Sequence, residues 1–183
     1  VNGKKFLKND NSKQIKVGPS ESMSKSKKNT IDPQNIIDNY GADSVRLFIL
    51  SDSPPEKDVQ WSEEGMSASY KFIQKLWNLH LKILREIEKN YSKDNSEDLN
   101  KYTNKLIKNV SSNLESFSYN IIIANFHEMY SFLIKEISKG YRQKTIKENY
   151  QKILTLMMPV LPHFANECLE IISTEKKLEW PTY

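Results

Sequence analysis

The stretch Ser22-Met23-Ser24-Lys25-Ser26-Lys27-Lys28-Asn29 sets three hydroxyls and three ammonium groups within eight residues. Ammonium and hydroxyl donors suit a polyphosphate, because each charge-assisted hydrogen bond to a phosphate oxygen contributes ~1.5–3 kcal/mol. Almost nothing apolar interrupts residues 20–30. That predicts an exposed, mobile loop able to close on a ligand and reopen. Taken alone, the string reads better as a solvated Ser/Lys loop without a ligand. His80, His127 and His163 fall on separate helical segments without paired carboxylates, so packing is the simpler role for each, with His163 at a helix start. Cys168 is the single cysteine, which excludes a disulfide within one chain and a cysteine-built zinc site. It fits a reducing, cytoplasmic setting, and the sequence offers no metal site.

Charge follows the same division. The chain has 183 residues and a formal net charge of +4. Residues 1–30 hold eight lysines against Asp10 and Glu21, while the remaining 153 residues sum to −2. A polyanion partner therefore belongs with the N-terminal segment. A lysine-rich, solvated surface is the alternative reading of the same charges. No apolar run approaches a membrane span and no signal peptide opens the chain. The opening Val1-Asn2-Gly3-Lys4-Lys5-Phe6 reads as the interior of a longer polypeptide, which predicts an excised fragment.

The elements that must carry the loop are mostly helical. Residues 4–7 and 14–18 read as a weak hairpin or extended pair, broken at 9–12. Asp32-Pro33 predicts a helix start, and Gly41 its left-handed stop near Tyr40. A second helix runs from Ala42 to about Ser51, with Val45, Leu47, Phe48, Ile49 and Leu50 largely buried; Ser53-Pro54-Pro55 ends it. Ser62 opens a long amphipathic helix to about Lys89. Ser96 opens another, whose stripe of Leu99, Tyr102, Leu106, Ile107, Val110, Leu114 and Phe117 has helical spacing. A third covers about 119–138 and stops at Gly140. Thr145 and Glu148 form a capping box for the next, and Pro162 starts the last, to about Ser173. There is no internal repeat. The expected fold is mainly α, with a short extended remnant and loop before a helical bundle.

Context narrows the loop's meaning. Residues 23–34 lead into Ile36-Ile37 and then Tyr40-Gly41-Ala42-Asp43, with Arg46 three residues on. This run resembles the Lys-Met-Ser-Lys-Ser segment of class I aminoacyl-tRNA synthetases and the helices after it. Val59-Gln60-Trp61 and the Gly65, Tyr70-Lys71-Phe72 and Leu76-Trp77 pattern look like the leucyl branch, while Met158-Pro159-Val160-Leu161-Pro162-His163 resembles the Pro-x-x-Pro-His segment of the anticodon-binding bundle in the leucyl, isoleucyl and valyl group. The isoleucyl and valyl branches are the runners-up, and a non-catalytic helical module that binds tRNA is the alternative from another class. The resemblance implies that residues 1–60 end a catalytic domain, with stem-contact helices. It implies that residues 61–183 form an anticodon-binding-type domain. It further implies attack of a leucine carboxylate on the ATP α-phosphate, with magnesium, and transfer to tRNA(Leu) by a monomeric enzyme.

Ser22, Met23, Ser24, Lys25 and Ser26 would then form the ATP-phosphate loop, with Lys25 as its catalytic cation. One departure stands out: Ser22 occupies the place of the family's first loop lysine, and Lys27 or Lys28 is left to compensate. The family's His-x-Gly-His motif is absent from the sequence, as are an editing domain and the small domain expected after Trp180-Pro181. The chain by itself is therefore expected to form no leucyl-adenylate. Trp61, Trp77 and Trp180 read as core or domain-junction aromatics. Arg46 reads as a salt-bridge partner steadying its short helix, with RNA contact as the alternative. Lys71, Lys75, Lys82, Lys101, Lys105 and Lys108 lie on polar helix faces that suit either tRNA phosphates or solvent.

Overall fold

The computed structural model describes residues 5–7, 9–15, 18–51, 54, 56–89, 91, 96–172 and 179–183. The chain divides into two compact units, Val1–Asp32 and Pro33–Tyr183. In the first, β1 (Lys5–Leu7) pairs antiparallel with β2 (Asp10–Ile15). Lys5 lies opposite Ile15 and Phe6 opposite Gln14, after which the register slips to place Leu7 opposite Asp10. The expected break at 9–12 is therefore shorter. Asp10 already pairs, and the surplus residues of β2 are absorbed as an irregularity in the register between Phe6 and Leu7. Lys4, Lys16 and Val17 lie outside the described residues.

The second unit is a helical assembly. Its elements are α1 (Pro33–Tyr40), α2 (Ala42–Ser51), α3 (Glu63–Glu88), α4 (Ser96–Glu115), α5 (Tyr119–Glu136), α6 (Gln143–Met157) and α7 (Pro162–Ile172). A 3-10 turn at Ile137–Lys139 follows α5. The break between α1 and α2 needs Gly41, whose φ is +79°, a conformation that strains any residue with a Cβ. Ser62 caps α3 by accepting the Gly65 N–H at 3.0 Å. Leu76, Leu79 and Ile83 of α3 meet Leu106, Ile107 and Val110 of α4, Phe126 and Met129 of α5, and Ile153 and Leu154 of α6 in one core. Each such side chain contributes roughly 1.5–3 kcal/mol through burial. Tyr102 and Phe132 stack face to face at 3.7 Å between α4 and α5.

Several expectations shift. Ile49 is 48% exposed, whereas the polar Asp43 and Ser44 on the same helix are buried. Phe117 does not continue the α4 stripe: it is 63% exposed at φ +55°, just beyond the helix. There the Phe117 N–H donates to the Leu114 carbonyl at 3.1 Å and the Ser118 N–H to the Asn113 carbonyl at 2.8 Å. These two bonds form a Schellman stop with phenylalanine where glycine usually sits. Thr145 caps nothing, because α6 begins at Gln143. Its carbonyl instead accepts from Asn149, which also donates to Asn100 of α4 at 2.7 Å. The loop expected at 92–95 and the end near Ser173 lie outside the described residues.

Candidate functional site

The Ser/Lys loop folds into a turn in this structure. The Lys28 N–H donates to the Lys25 carbonyl at 3.2 Å, which reverses the chain over Lys25–Lys28, and Lys28 sits at φ +53°. Ser24 organises the turn from inside. Its hydroxyl accepts the Lys27 N–H at 3.3 Å and lies 3.2 Å from the Ser26 hydroxyl. Its own N–H donates to the Asn29 side-chain oxygen at 2.8 Å, and the Asn29 amide reaches the Ser22 carbonyl at 3.4 Å. Asn29 thus ties both arms of the loop together, a role that no sequence signal pointed to.

The three lysines of the turn differ in availability. Lys27 is paired with Glu21 at 2.7 Å, both half-exposed. Lys25 and Lys28 are exposed, and neither ammonium has an ion partner among the described residues. Ser22 and Met23 are also exposed, with Ser24 partly covered. The structure therefore brings Ser22, Ser24, Lys25, Ser26 and Asn29 around one turn, with the Lys25 cation at its corner. That arrangement can present positive charge and hydroxyls to an anion without first breaking an ion pair.

A second polar cluster lies in the helical unit. Asp43, 7% exposed, receives the Phe164 N–H on Oδ2 at 2.7 Å. Its Oδ1 receives the His163 N–H at 3.4 Å and faces His163 Nδ1 at 2.8 Å. One turn along α2, the Arg46 guanidinium donates to the Val160 carbonyl at 3.1 Å and the Pro159 carbonyl at 2.7 Å. α7 begins after Leu161, which has no side-chain oxygen to cap its first N–H groups, so Asp43 supplies the cap from another helix. The expected salt bridge at Arg46 is thus replaced by hydrogen bonds to the α6–α7 corner. His163 stands at the helix start as expected, but its side chain is 75% exposed and pairs with Asp43 rather than packing into the core.

His80 and Cys168 serve the core, whereas His127 is exposed and lies against the Phe72 ring at 3.8 Å. His80 is fully buried; its Nδ1 lies 3.1 Å from the Tyr150 hydroxyl and its Nε2 has no partner. Burial pushes its pKa down, and burial with help from Lys75 does the same for His127. Cys168 is buried and its thiol is pushed up to about 12, chiefly by burial. It stays a neutral thiol, unsuited to nucleophilic chemistry. Trp61 packs edge-on against Phe48 at 5.4 Å, and Trp77 against Phe164 at 6.4 Å. Trp180 donates to the Ser111 hydroxyl at 2.9 Å. Trp77 and Trp180 stay over a third exposed, so neither is a core residue. Lys71, Lys75, Lys101, Lys105 and Lys108 are exposed on α3 and α4, and Lys82 is partly covered. Among the described residues no group of three or more His, Cys, Asp or Glu side chains could hold a metal ion. Among them, too, no helix is long and apolar enough to cross a membrane.

Residues 15–62 match the family model for tRNA synthetases class I (I, L, M and V). Residues 96–183 match that for the anticodon-binding domain of tRNA ligase. The chain belongs to the class I aminoacyl-tRNA synthetases. This synthetase chain is 38% identical over 174 residues to the leucine–tRNA ligase of Wolbachia pipientis subsp. Culex pipiens (strain wPip), covering 91% of the chain and 21% of that protein. It is 40% identical over 173 residues to that of Orientia tsutsugamushi (strain Boryong), covering 92% and 20% respectively. The synthetase chain thus spans about a fifth of the length of the curated relatives it matches. Among solved structures it is similar to the agnB2 LeuRS of Agrobacterium radiobacter K84, from its ternary complex with tRNA and LeuAMS. The TM-score is 0.76 at 21% identity, over 87% of this chain and 22% of that one. That likeness concerns the fold. The mainly α architecture expected of the synthetase chain, ending in an anticodon-binding domain, is the one observed.

Proposed function

We propose that this chain is part of a leucine–tRNA ligase and that its Ser22–Ser26 turn is the wall of the ATP site that grips the phosphates. The observation that carries this reading is the similarity of over nine-tenths of the chain to leucine–tRNA ligases, at 38% and 40% identity. The full-length enzyme would join leucine to ATP, expel pyrophosphate, and pass the leucyl group to tRNA(Leu). Residues 1–60 close the catalytic domain and residues 61–183 form the anticodon-binding-type domain. Two family matches support this reading, the first ending at residue 62 and the second starting at 96. Docking of tRNA on the helical domain is supported by the second match and by the lysines exposed on α3 and α4. The enzyme would work in the cytoplasm, where a lone buried thiol such as Cys168 stays reduced.

The chemistry asks for a cation where negative charge accumulates. As the leucine carboxylate attacks the α-phosphate, charge builds on the bridging and terminal oxygens of the departing pyrophosphate. Lys25 supplies an ammonium with no competing partner, and Ser22, Ser24 and Ser26 supply hydroxyls. Magnesium arriving with ATP would neutralise the rest. With serine at position 22 one cation is missing. Lys28 is the available replacement, since Lys27 is held by Glu21.

Leucine-dependent exchange of pyrophosphate into ATP by the full-length enzyme tests this. Lys25→Ala should lower kcat by about a hundredfold, the scale of losing one transition-state donor, with no loss of folding because the side chain is exposed. Exchange driven by isoleucine or valine but not leucine would reject the leucyl assignment, and an unaltered rate in the variant would reject the role of Lys25.

A further inference from the structure

We propose that the Met23 thioether is the site at which peroxide modifies this chain, and that the sulfoxide weakens the hold of the Ser22–Ser26 turn on ATP. The effect on ATP rests on the functional reading above; the place of modification does not. The sulfur atoms of the chain belong to Met23, Met66, Met129, Met157, Met158 and Cys168. Met66, Met129, Met157 and Cys168 are buried, and Met158 packs partly buried against the core. Met23 is 48% exposed. A thiolate would ordinarily outpace a thioether for peroxide, but Cys168 is both enclosed and held as the neutral thiol. A thioether needs no deprotonation to react, so access ranks the methionines.

The surroundings of Met23 decide what the product does. Met23 sits between the two ends of the Asn29 tie: the Ser22 carbonyl accepts from the Asn29 amide at 3.4 Å, and the Ser24 N–H donates to the Asn29 side-chain oxygen at 2.8 Å. The backbone on either side is thus fixed, and the modified side chain cannot be carried away without breaking that tie. In the reaction the sulfur gives a lone pair to one oxygen of hydrogen peroxide. An S–O bond forms, the O–O bond breaks, and the departing hydroxide leaves as water with the proton of the transferred oxygen. Sulfur is oxidised by two electrons and the peroxide is reduced by two. An apolar side chain becomes a polar one carrying an acceptor oxygen. Lys25 and Lys28 follow in the same turn, neither with an ion partner among the described residues. The sulfoxide oxygen offers these ammonium groups a charge-assisted hydrogen bond that the thioether does not. That bond competes for the cations that would otherwise meet phosphate oxygens. Lys27 cannot replace them while Glu21 holds it.

The test treats the full-length enzyme with a limited dose of hydrogen peroxide and follows each methionine by peptide mass spectrometry. Leucine-dependent pyrophosphate exchange is measured on the same samples. Met23 should gain its oxygen at least about tenfold faster than Met66, Met129 or Met157, as the difference in access dictates. The KM for ATP should rise at least about threefold, with a smaller change in kcat, the scale of weakening one charge-assisted hydrogen bond. Methionine sulfoxide reductases for both epimers, with dithiothreitol as reductant, should reverse the rise. Met23→Leu keeps an apolar side chain without sulfur, and its KM for ATP should be the same before and after peroxide. Oxidation of the buried methionines as fast as Met23 would overturn the site. A fully oxidised Met23 with an unaltered KM, or an equal rise in the treated Met23→Leu enzyme, would overturn the effect on ATP. A wild-type enzyme that shows no exchange with leucine before treatment would instead overturn the functional reading, and the mass measurement would still decide the site of modification.

Discussion

Lys27 is the loop cation already committed to a carboxylate, and Glu21 holds it at 2.7 Å. Because both groups are about half exposed, the pair adds only ~0–1 kcal/mol to stability. Glu21→Gln should leave Tm unchanged, while freeing Lys27 to follow a phosphate and lowering the KM for ATP. A raised KM would show that the ion pair shapes the binding turn. Ser22→Lys should lower the same KM by restoring the cation that the family's motif carries. Two histidines, the buried His80 and the exposed His127, set a pH dependence. His80 and His127 are both held below their usual 6.5, mainly by burial, so the unfolded chain binds protons more readily than the folded one. Stability is undiminished above about pH 6.5 and declines as pH falls below it. A Tm series from pH 8 to 5 should show that decline, and His80→Phe should flatten it. Lys25 was legible because its motif is local. Asp43 was not, since its partners lie 120 residues away and a first-turn acid looks like an ordinary helix-start charge.

At the scale of the element, helix ends carry the informative departures. Phe117 at φ +55° closes α4 with a residue that the left-handed conformation disfavours by about 1–2 kcal/mol. Phe117→Gly should raise stability by ~0.5–1 kcal/mol, whereas Phe117→Ala should not. Gly65 tells the opposite story. A Cβ there would come 2.6 Å from the Phe48 ring, so Gly65→Ala should destabilise α3 despite alanine's better helix propensity. Chemical denaturation of both variants checks the pair of signs. Helix existence and most starts followed from spacing and from Asp32-Pro33, Ser62 and Pro162. The capping box at Thr145 misled because Gln143 already lies in the helix, where packing of Ile146 and Tyr150 outweighs the local cap. Ile49 misled because a short helix buries one face only, and here Asp43 and Ser44 share that face.

Across the molecule, one core gathers residues from α2 to α7 while the loop belongs to the other compact unit. The bundle is packed rather than hollow. The gap among Ile83, Leu99, Leu133 and Ile153 holds only about 10 Å³ of free volume, too little for a small ligand. The tRNA docking proposed above would therefore use the surface of this unit. The order of the helices was readable from periodicity and punctuation. How they close on one another was not, because the hydrogen bonding between α2 and the α6–α7 corner is a long-range contact that no local pattern encodes. The most direct measurement offers the full-length enzyme a total tRNA pool with ATP and each labelled amino acid in turn. Leucine attached to tRNA(Leu), and to no other acceptor, is the predicted result. Charging with isoleucine or valine, or binding of tRNA without any charging, would contradict the account.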